Sequence, residues 1–230
     1  MTASDLTALV RKLRPPFLEE LAQSEMSAVL AAAQQRRFLA NSVITNQGEP
    51  ATHTFLVLTG RARSFFLTDA GQKIYIHWYP PGEMFAGMAL VSRPSVYLVS
   101  TEAVKNSHTL VWDRPSIRRL AARYPKLMDN ALLIASNYLN VAIATQVSLS
   151  SHTARQRLAV VLVNLASGIG HAVSGGIELS VRNEELAAAA NITPFTASRI
   201  ISQWERDAMV RKSRGKVLVT SPEQLLLQEV

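Results

Sequence analysis

The sequence predicts an α+β chain in three successive parts. An antiparallel β-roll with flanking helices is expected over residues 1–124, one long helix over 125–150, and a helix-turn-helix with a basic hairpin over 151–230. Three observations predict it. Short runs of β-branched and aromatic residues, parted by turn signals, fill residues 36–112, the pattern of an antiparallel sandwich or roll. The 25 residues from 130 to 154 then carry no Asp, Glu, Lys or Arg and keep a helical apolar spacing. Finally, residues 183–219 read as helix, tight turn, helix, strand, turn, strand.

Taken in order, residues 6–13 and 24–33 read as short helices divided by Pro15-Pro16. Ser24 is the expected N-cap of the second, with Glu25 in its first turn. Strands are expected at 54–58, 64–67, 74–79, 96–100 and 109–112, with Asp69-Ala70-Gly71 as a hairpin turn. Residues 115–122 form a short helix. In the long helix, Leu127, Ala131, Ile134, Tyr138 and Val141 follow a four-three spacing, beside a second row of Met128, Leu132, Ala135, Leu139 and Ala142. Two adjacent rows imply two buried sides, one on the chain's own β-roll and one on a twin helix. The first row is assigned to a homodimer seam, with Asn137 and Asn140 near it to fix register. Ser150-Ser151 reads as a hinge, 153–166 as a helix, 168–176 as a glycine-rich connection and 179–181 as a short strand.

Composition narrows the function classes. With 48% hydrophobic and 18% charged residues, the chain is no disordered tail. A net charge of +7 suits a polyanionic partner. Cysteine is absent, which excludes disulfides, Cys-held iron–sulfur clusters, thiolate zinc sites and Cys nucleophiles. Residues 1–10 show no basic start followed by an apolar run. Asn137, Asn140 and Gln146 make the apolar helix a poor membrane span. A cytoplasmic protein without a membrane partner is expected. The alternative for a β-roll, a cupin-like metal enzyme, needs two or three His with a carboxylate. Here His53, His77, His108, His152 and His171 stand apart, and no nucleophile elbow, phosphate loop or carboxylate pair occurs. No catalysis, no catalytic residue and no metal site are expected.

Residues 183–219 carry the functional signal. Asn183 is placed as a helix cap with Glu184 and Glu185 behind it. Asn191 tolerates the left-handed backbone of a tight turn, and Thr193-Pro194 restart a helix as N-cap and first helical residue. On that second helix Ala197, Ile200, Ile201 and Trp204 share one side, while Phe195, Ser198, Arg199 and Ser202 share the other. An apolar back and a short polar front with one Arg is what major-groove reading requires. Arg199 can donate two hydrogen bonds to guanine, Ser198 can bond a base edge or phosphate, and Thr196 and Phe195 can touch thymine methyls. In the hairpin that follows, four of the six residues 211–216 are basic, so Lys212, Arg214 and Lys216, with Arg182, are expected on phosphates. Residues 151–220 hold nine Lys+Arg against five Asp+Glu. The expected partner is double-stranded DNA.

Over nearly its whole length the chain resembles the Crp/Fnr family of transcription regulators, which includes the cyclic-AMP receptor protein and the fumarate–nitrate reduction regulator. The local matches are Asn183-Glu184-Glu185-Leu186-Ala187, the run Thr193-Pro194-Phe195-Thr196-Ala197-Ser198-Arg199, and Arg214-Gly215-Lys216. The resemblance implies a cyclic-nucleotide-binding-like jelly roll, a dimerisation helix and a winged helix-turn-helix. It also implies a homodimer on a near-palindromic operator, a signal sensed in the roll, and RNA polymerase as a partner. Arg199 falls on the family's base-reading Arg, and Ser198 on the Ser used by the fumarate–nitrate branch. Phe195 stands where the family has a base-reading Glu, and Pro194 where the cyclic-AMP branch has Arg; the operator should therefore differ at that base pair. Gly82-Glu83 matches the start of the phosphate-binding cassette. Aligning Ala103 as the end of the next strand puts Tyr97 and Leu98 where nucleotide-binding members hold phosphate with Arg and Ser. A cyclic phosphate without its Arg would be buried unpaired, so cyclic nucleotide is not expected. Glu83, Met84, Tyr97, Leu98 and Tyr138 mark the expected effector pocket. Haem stays open as a cofactor, giving a gas sensor, with His53, His77 and His108 in the roll. Iron–sulfur sensing is excluded by the absence of Cys.

Overall fold

Two helices precede the strands, and local hydrogen bonds fix where each begins. In the computed structural model, which describes residues 2–213 and 215–227, Thr2 caps α1 (Ala3–Leu13). Its hydroxyl accepts the Asp5 N–H at 3.2 Å, and the Asp5 carboxylate accepts the Thr2 N–H at 3.1 Å. The second helix, α2 (Gln23–Ala31), starts ahead of Ser24. Glu25 takes the Ala22 N–H at 2.9 Å, so a side chain in the first turn satisfies the exposed donor and Ser24 is not the cap.

Eight strands follow in residues 1–140, the first of two compact units. They are β1 (Gln34–Phe38), β2 (Val43–Thr45), β3 (His53–Thr59), β4 (Ala62–Leu67), β5 (Lys73–Tyr79), β6 (Met84–Phe85), β7 (Ser100–Ala103) and β8 (Ser107–Asp113). They form two four-stranded antiparallel sheets, ordered β1-β8-β3-β6 and β2-β7-β4-β5. Strand β3 explains the arrangement. Its side chains alternate between faces. Leu56 and Leu58 join Val10, Phe17, Leu110 and Trp112 on the helix side. Phe55 and Val57 join Ala62, Tyr79 and Phe85 between the sheets. Both faces are covered, so β3 reads as an unbroken apolar run. The expected strand at 96–100 is displaced to β7. Tyr97 instead donates its N–H to the Glu49 carbonyl and accepts the Gly48 N–H, both at 2.9 Å, so its backbone is occupied by a loop.

Two helices complete this unit. Asp113 caps α3 (Arg114–Arg123), accepting the Ser116 N–H at 2.7 Å. The long α4 (Lys126–Ser151) packs its first turns on the roll. Leu127 is fully buried there, and Asn130 donates to the carbonyls of Phe17 and Glu19 at 3.1 and 2.8 Å. Among the described residues, α4 alone is long and apolar enough to cross a membrane.

The second unit, residues 141–230, begins within α4. The helix runs through Ser150 and Ser151, and its break lies at His152-Thr153, where Thr153 and Gln156 form a reciprocal cap on α5 (Ala154–Ile169). The expected glycine-rich connection is instead a hairpin of β9 (His171–Val173) and β10 (Gly176–Leu179). Then come α6 (Asn183–Ala189), α7 (Pro194–Arg206), β11 (Val210–Ser213), β12 (Lys216–Val219) and α8 (Pro222–Leu227). The strands form one sheet, β11-β12-β10-β9.

Candidate nucleic-acid interface

The geometry of residues 183–219 begins at one backbone position. Asn191 sits at φ 50°, in the left-handed region, where Asn is tolerated by the local bonds its side chain can make. Two residues on, the Thr193 hydroxyl accepts the Thr196 N–H at 3.1 Å, and Pro194 fills the first turn of α7. Asn183 does not cap α6. It is the first helical residue, Glu185 takes the Arg182 N–H at 2.8 Å, and the Asn183 amide donates to the Pro194 carbonyl at 2.8 Å. That side chain ties the start of one helix to the start of the next.

Helix α7 turns Ala197, Ile200, Ile201 and Trp204 inward, all buried. Its other side exposes Thr193, Pro194, Phe195, Ser198 and Arg199. Phe195 is the extreme case at 79% exposed, a large apolar ring offered to solvent beside an Arg. Thr196 is half-buried, with its hydroxyl shared with Thr193 at 2.9 Å. Ser202 is half-buried and accepts from the Lys212 Nζ at 2.7 Å.

The hairpin β11–β12 reaches the same face. Glu205 accepts the Lys212 N–H at 2.8 Å, which pins the strand to α7. Lys216 pairs with Glu178 on β10 at 2.7 Å. Both wing lysines thus have anionic or hydroxyl neighbours of their own. Arg211 is exposed, Arg182 is mostly exposed with Glu185 at 3.7 Å, and Arg214 lies outside the described residues. Gly215, at φ 72°, supplies the left-handed turn between the strands.

Sequence reasoning missed Arg157. Its guanidinium donates to the carbonyls of Ala190 at 2.9 Å, Asn191 at 3.4 Å and His152 at 2.8 Å. One planar group joins the end of α4 to the turn between α6 and α7. The available signal was Arg155 and Arg157 in the first turn of α5, where the helix dipole disfavours cations.

In the roll, a cavity of about 370 Å³ lies between the sheets' open end and α4. Met84, Tyr97, Leu98 and Tyr138 line it, as expected, and Glu83 does not. Glu83 faces His77, with Oε2 and Nε2 3.0 Å apart; the turn at Pro80-Pro81-Gly82 carries its side chain away. Tyr138 donates to the Met84 carbonyl at 3.0 Å, and burial pushes its phenol pKa far up.

The seam residues also need correction. Leu127 is buried in the roll's own core, and Ala131 and Ile134 pack against it. Tyr138 packs against the core between the sheets. Of the assigned row only Val141, 48% exposed, faces out. The exposed apolar row is Leu132, Leu139, Ile143 and Val147.

Comparison with known proteins agrees with both halves. Residues 35–124 match the model of the cyclic nucleotide-binding domain, and residues 156–227 that of the Crp-like helix-turn-helix domain. The chain is 29% identical to the "Cyclic AMP receptor protein" of Thermus thermophilus over 94% of its own length and 96% of that protein. It is 23% identical to "Transcriptional activator protein Anr" of Pseudomonas protegens, over 78% of this chain and 73% of the other. The solved structure of FixK2 from Bradyrhizobium japonicum superposes with a TM-score of 0.76 at 20% identity, covering 86% of this chain and 98% of that one. With a jelly roll, a long helix and a winged helix-turn-helix in this order, the chain belongs to the Crp/Fnr family of DNA-binding transcription regulators.

Proposed function

We propose that the protein acts as a homodimer on a near-palindromic operator, with DNA affinity set by a small molecule held in the roll. The exposed front of α7 carries this reading: Phe195, Ser198 and Arg199 stand clear of a buried apolar back. Two copies of α7 about one turn of DNA apart, near 34 Å, meet successive major grooves. The exposed row Leu132, Leu139, Ile143 and Val147 supports pairing through α4. Contact with RNA polymerase and a cytoplasmic location follow from the family.

The relative's name raises cyclic AMP. The cavity lining, however, has no Arg or Lys for a phosphate and no His for haem iron, which argues against both ligands. A signal can act only if its ligand prefers one of two states of the DNA-binding unit. The break at His152-Thr153, bonded to the turn through Arg157, is the element we assign to that change.

The test is selection of bound sequences from a random DNA pool by the purified protein. An inverted repeat differing from both well-known consensus sites opposite Phe195 is expected. No enrichment, with or without cell extract, would refute DNA reading by α7.

A further inference from the structure

We infer that Phe195 reads the 5-methyl group of a pyrimidine in the major groove, so that methylating a cytosine at that base pair tightens operator binding. The inference rests on the DNA-reading role of α7 proposed above and names the group that the start of this helix recognises. Phe195 is the most exposed large apolar side chain among the described residues, at 79%. Ser198 and Arg199 follow three and four positions on, both exposed, so the ring shares one helix face with them. A single exposed ring elsewhere on a surface would mean little. Here it stands in the row that is to meet base edges.

The surroundings leave this position without hydrogen-bonding chemistry. Of residues 194–200, the exposed ones are Pro194, Phe195, Ser198 and Arg199. Pro194 has no N–H, and its carbonyl accepts from the Asn183 amide at 2.8 Å. The Thr196 hydroxyl is shared with Thr193 at 2.9 Å. A phenyl ring can gain only from apolar contact. In the major groove the apolar feature of a base edge is the methyl on C5 of thymine. 5-Methylcytosine carries the same methyl at the same ring position; uracil and cytosine lack it. Phe195 should thus sense the methyl itself, whichever pyrimidine bears it.

The experiment uses the full chain. Operators are selected from a random DNA pool by the unaltered protein and by Phe195→Ala, and the pyrimidine whose preference differs marks the base pair. Duplexes then carry thymine or uracil opposite adenine there, or 5-methylcytosine or cytosine opposite guanine, so each comparison changes the methyl alone. Fluorescence anisotropy gives the affinity for each, and for a scrambled duplex. The methyl should tighten binding roughly four-fold per half-site in both comparisons. Phe195→Ala should abolish both preferences, and Phe195→Leu should keep part of them. The melting temperature should be unchanged in both variants, because the ring is exposed. Identical selected operators, no methyl preference in the unaltered protein, or a preference that survives Phe195→Ala would each overturn the inference and leave DNA reading by α7 in place. Equal affinity for operator and scrambled duplexes in the unaltered protein would overturn that reading, and this inference with it.

Discussion

Arg199 and Arg157 show how one residue type does two jobs within the same motif. Arg199 lies on the exposed front of α7, where its fork can meet a guanine edge. Arg199→Ala should cost about 1–3 kcal/mol per half-site and relax preference at one base pair. Fluorescence anisotropy on operator and scrambled duplexes checks this; equal loss on both would make it a phosphate contact. Arg157 uses its fork inward, on three carbonyls. Arg157→Ala should speed hydrogen exchange at Asn191 and Ile192 and lower operator affinity, and Lys, a point charge, should restore it only in part. Unchanged exchange would mean the turn holds without the clamp. Thr193, Pro194 and Asn191 were legible in the sequence because their roles follow from their own backbone chemistry. Asn183 was misread for the opposite reason. Its amide serves a residue eleven positions away, a contact that helix-capping preference does not encode.

At the scale of elements, α4 sets the limit of what periodicity can say. The spacing shows two apolar rows, and nothing in it says which one faces the roll. Packing decides: Leu127, Ala131, Ile134 and Tyr138 go to their own chain, leaving Leu132, Leu139, Ile143 and Val147 outside. A charge at Leu139 or Ile143 should therefore convert the dimer to monomers in sedimentation velocity. Tyr138→Phe, which loses only the bond to the Met84 carbonyl, should leave the dimer intact. A dimer surviving both Leu139→Glu and Ile143→Glu would move the seam off α4. Two other strands escaped notice because they lie exposed. Strand β1 is Gln-Gln-Arg-Arg-Phe, with its first four residues exposed, at the edge of its sheet, and β9 is exposed throughout. Strand β1 is held by its ladder to the buried β8, and β9 by its ladder to β10, which no local pattern reveals. Strand β3, β8, α5 and α7 carry their own burial in their sequence and were read to within three residues at each end.

For the molecule as a whole, the order of parts was legible because each part has its own period, and the charge inside the roll was not. Glu102 and Arg63 are buried side by side, with Glu102 Oε1 at 2.7 Å from Arg63 Nη2, and Lys73 Nζ at 2.6 Å from the other oxygen. The Arg63 guanidinium also lies 4.0 Å from the Tyr75 ring centre. Burial pushes the Glu102 pKa up, but hydrogen bonds from Lys73 and Arg63, with their charges, outweigh it and hold the carboxyl below its ordinary value. A depressed carboxyl stabilises the folded state above its unfolded pKa. That contribution is lost as pH falls through the lower folded-state value. The roll should therefore lose stability in acid, below the ordinary carboxylate range, as Glu102 is protonated and its charge opposite Arg63 and Lys73 is lost. Glu102→Gln should lower the melting temperature at neutral pH, since it removes the carboxylate charge that faces the buried Arg63 guanidinium. It should also flatten the melting temperature's dependence on pH in that acid window. Calorimetry of the two proteins from neutral pH downward measures both effects. If the two curves ran parallel through the acid range, the acid response would belong to other carboxylates, and Glu102 with its two cations would matter for placing β4, β5 and β7 rather than for their response to protons.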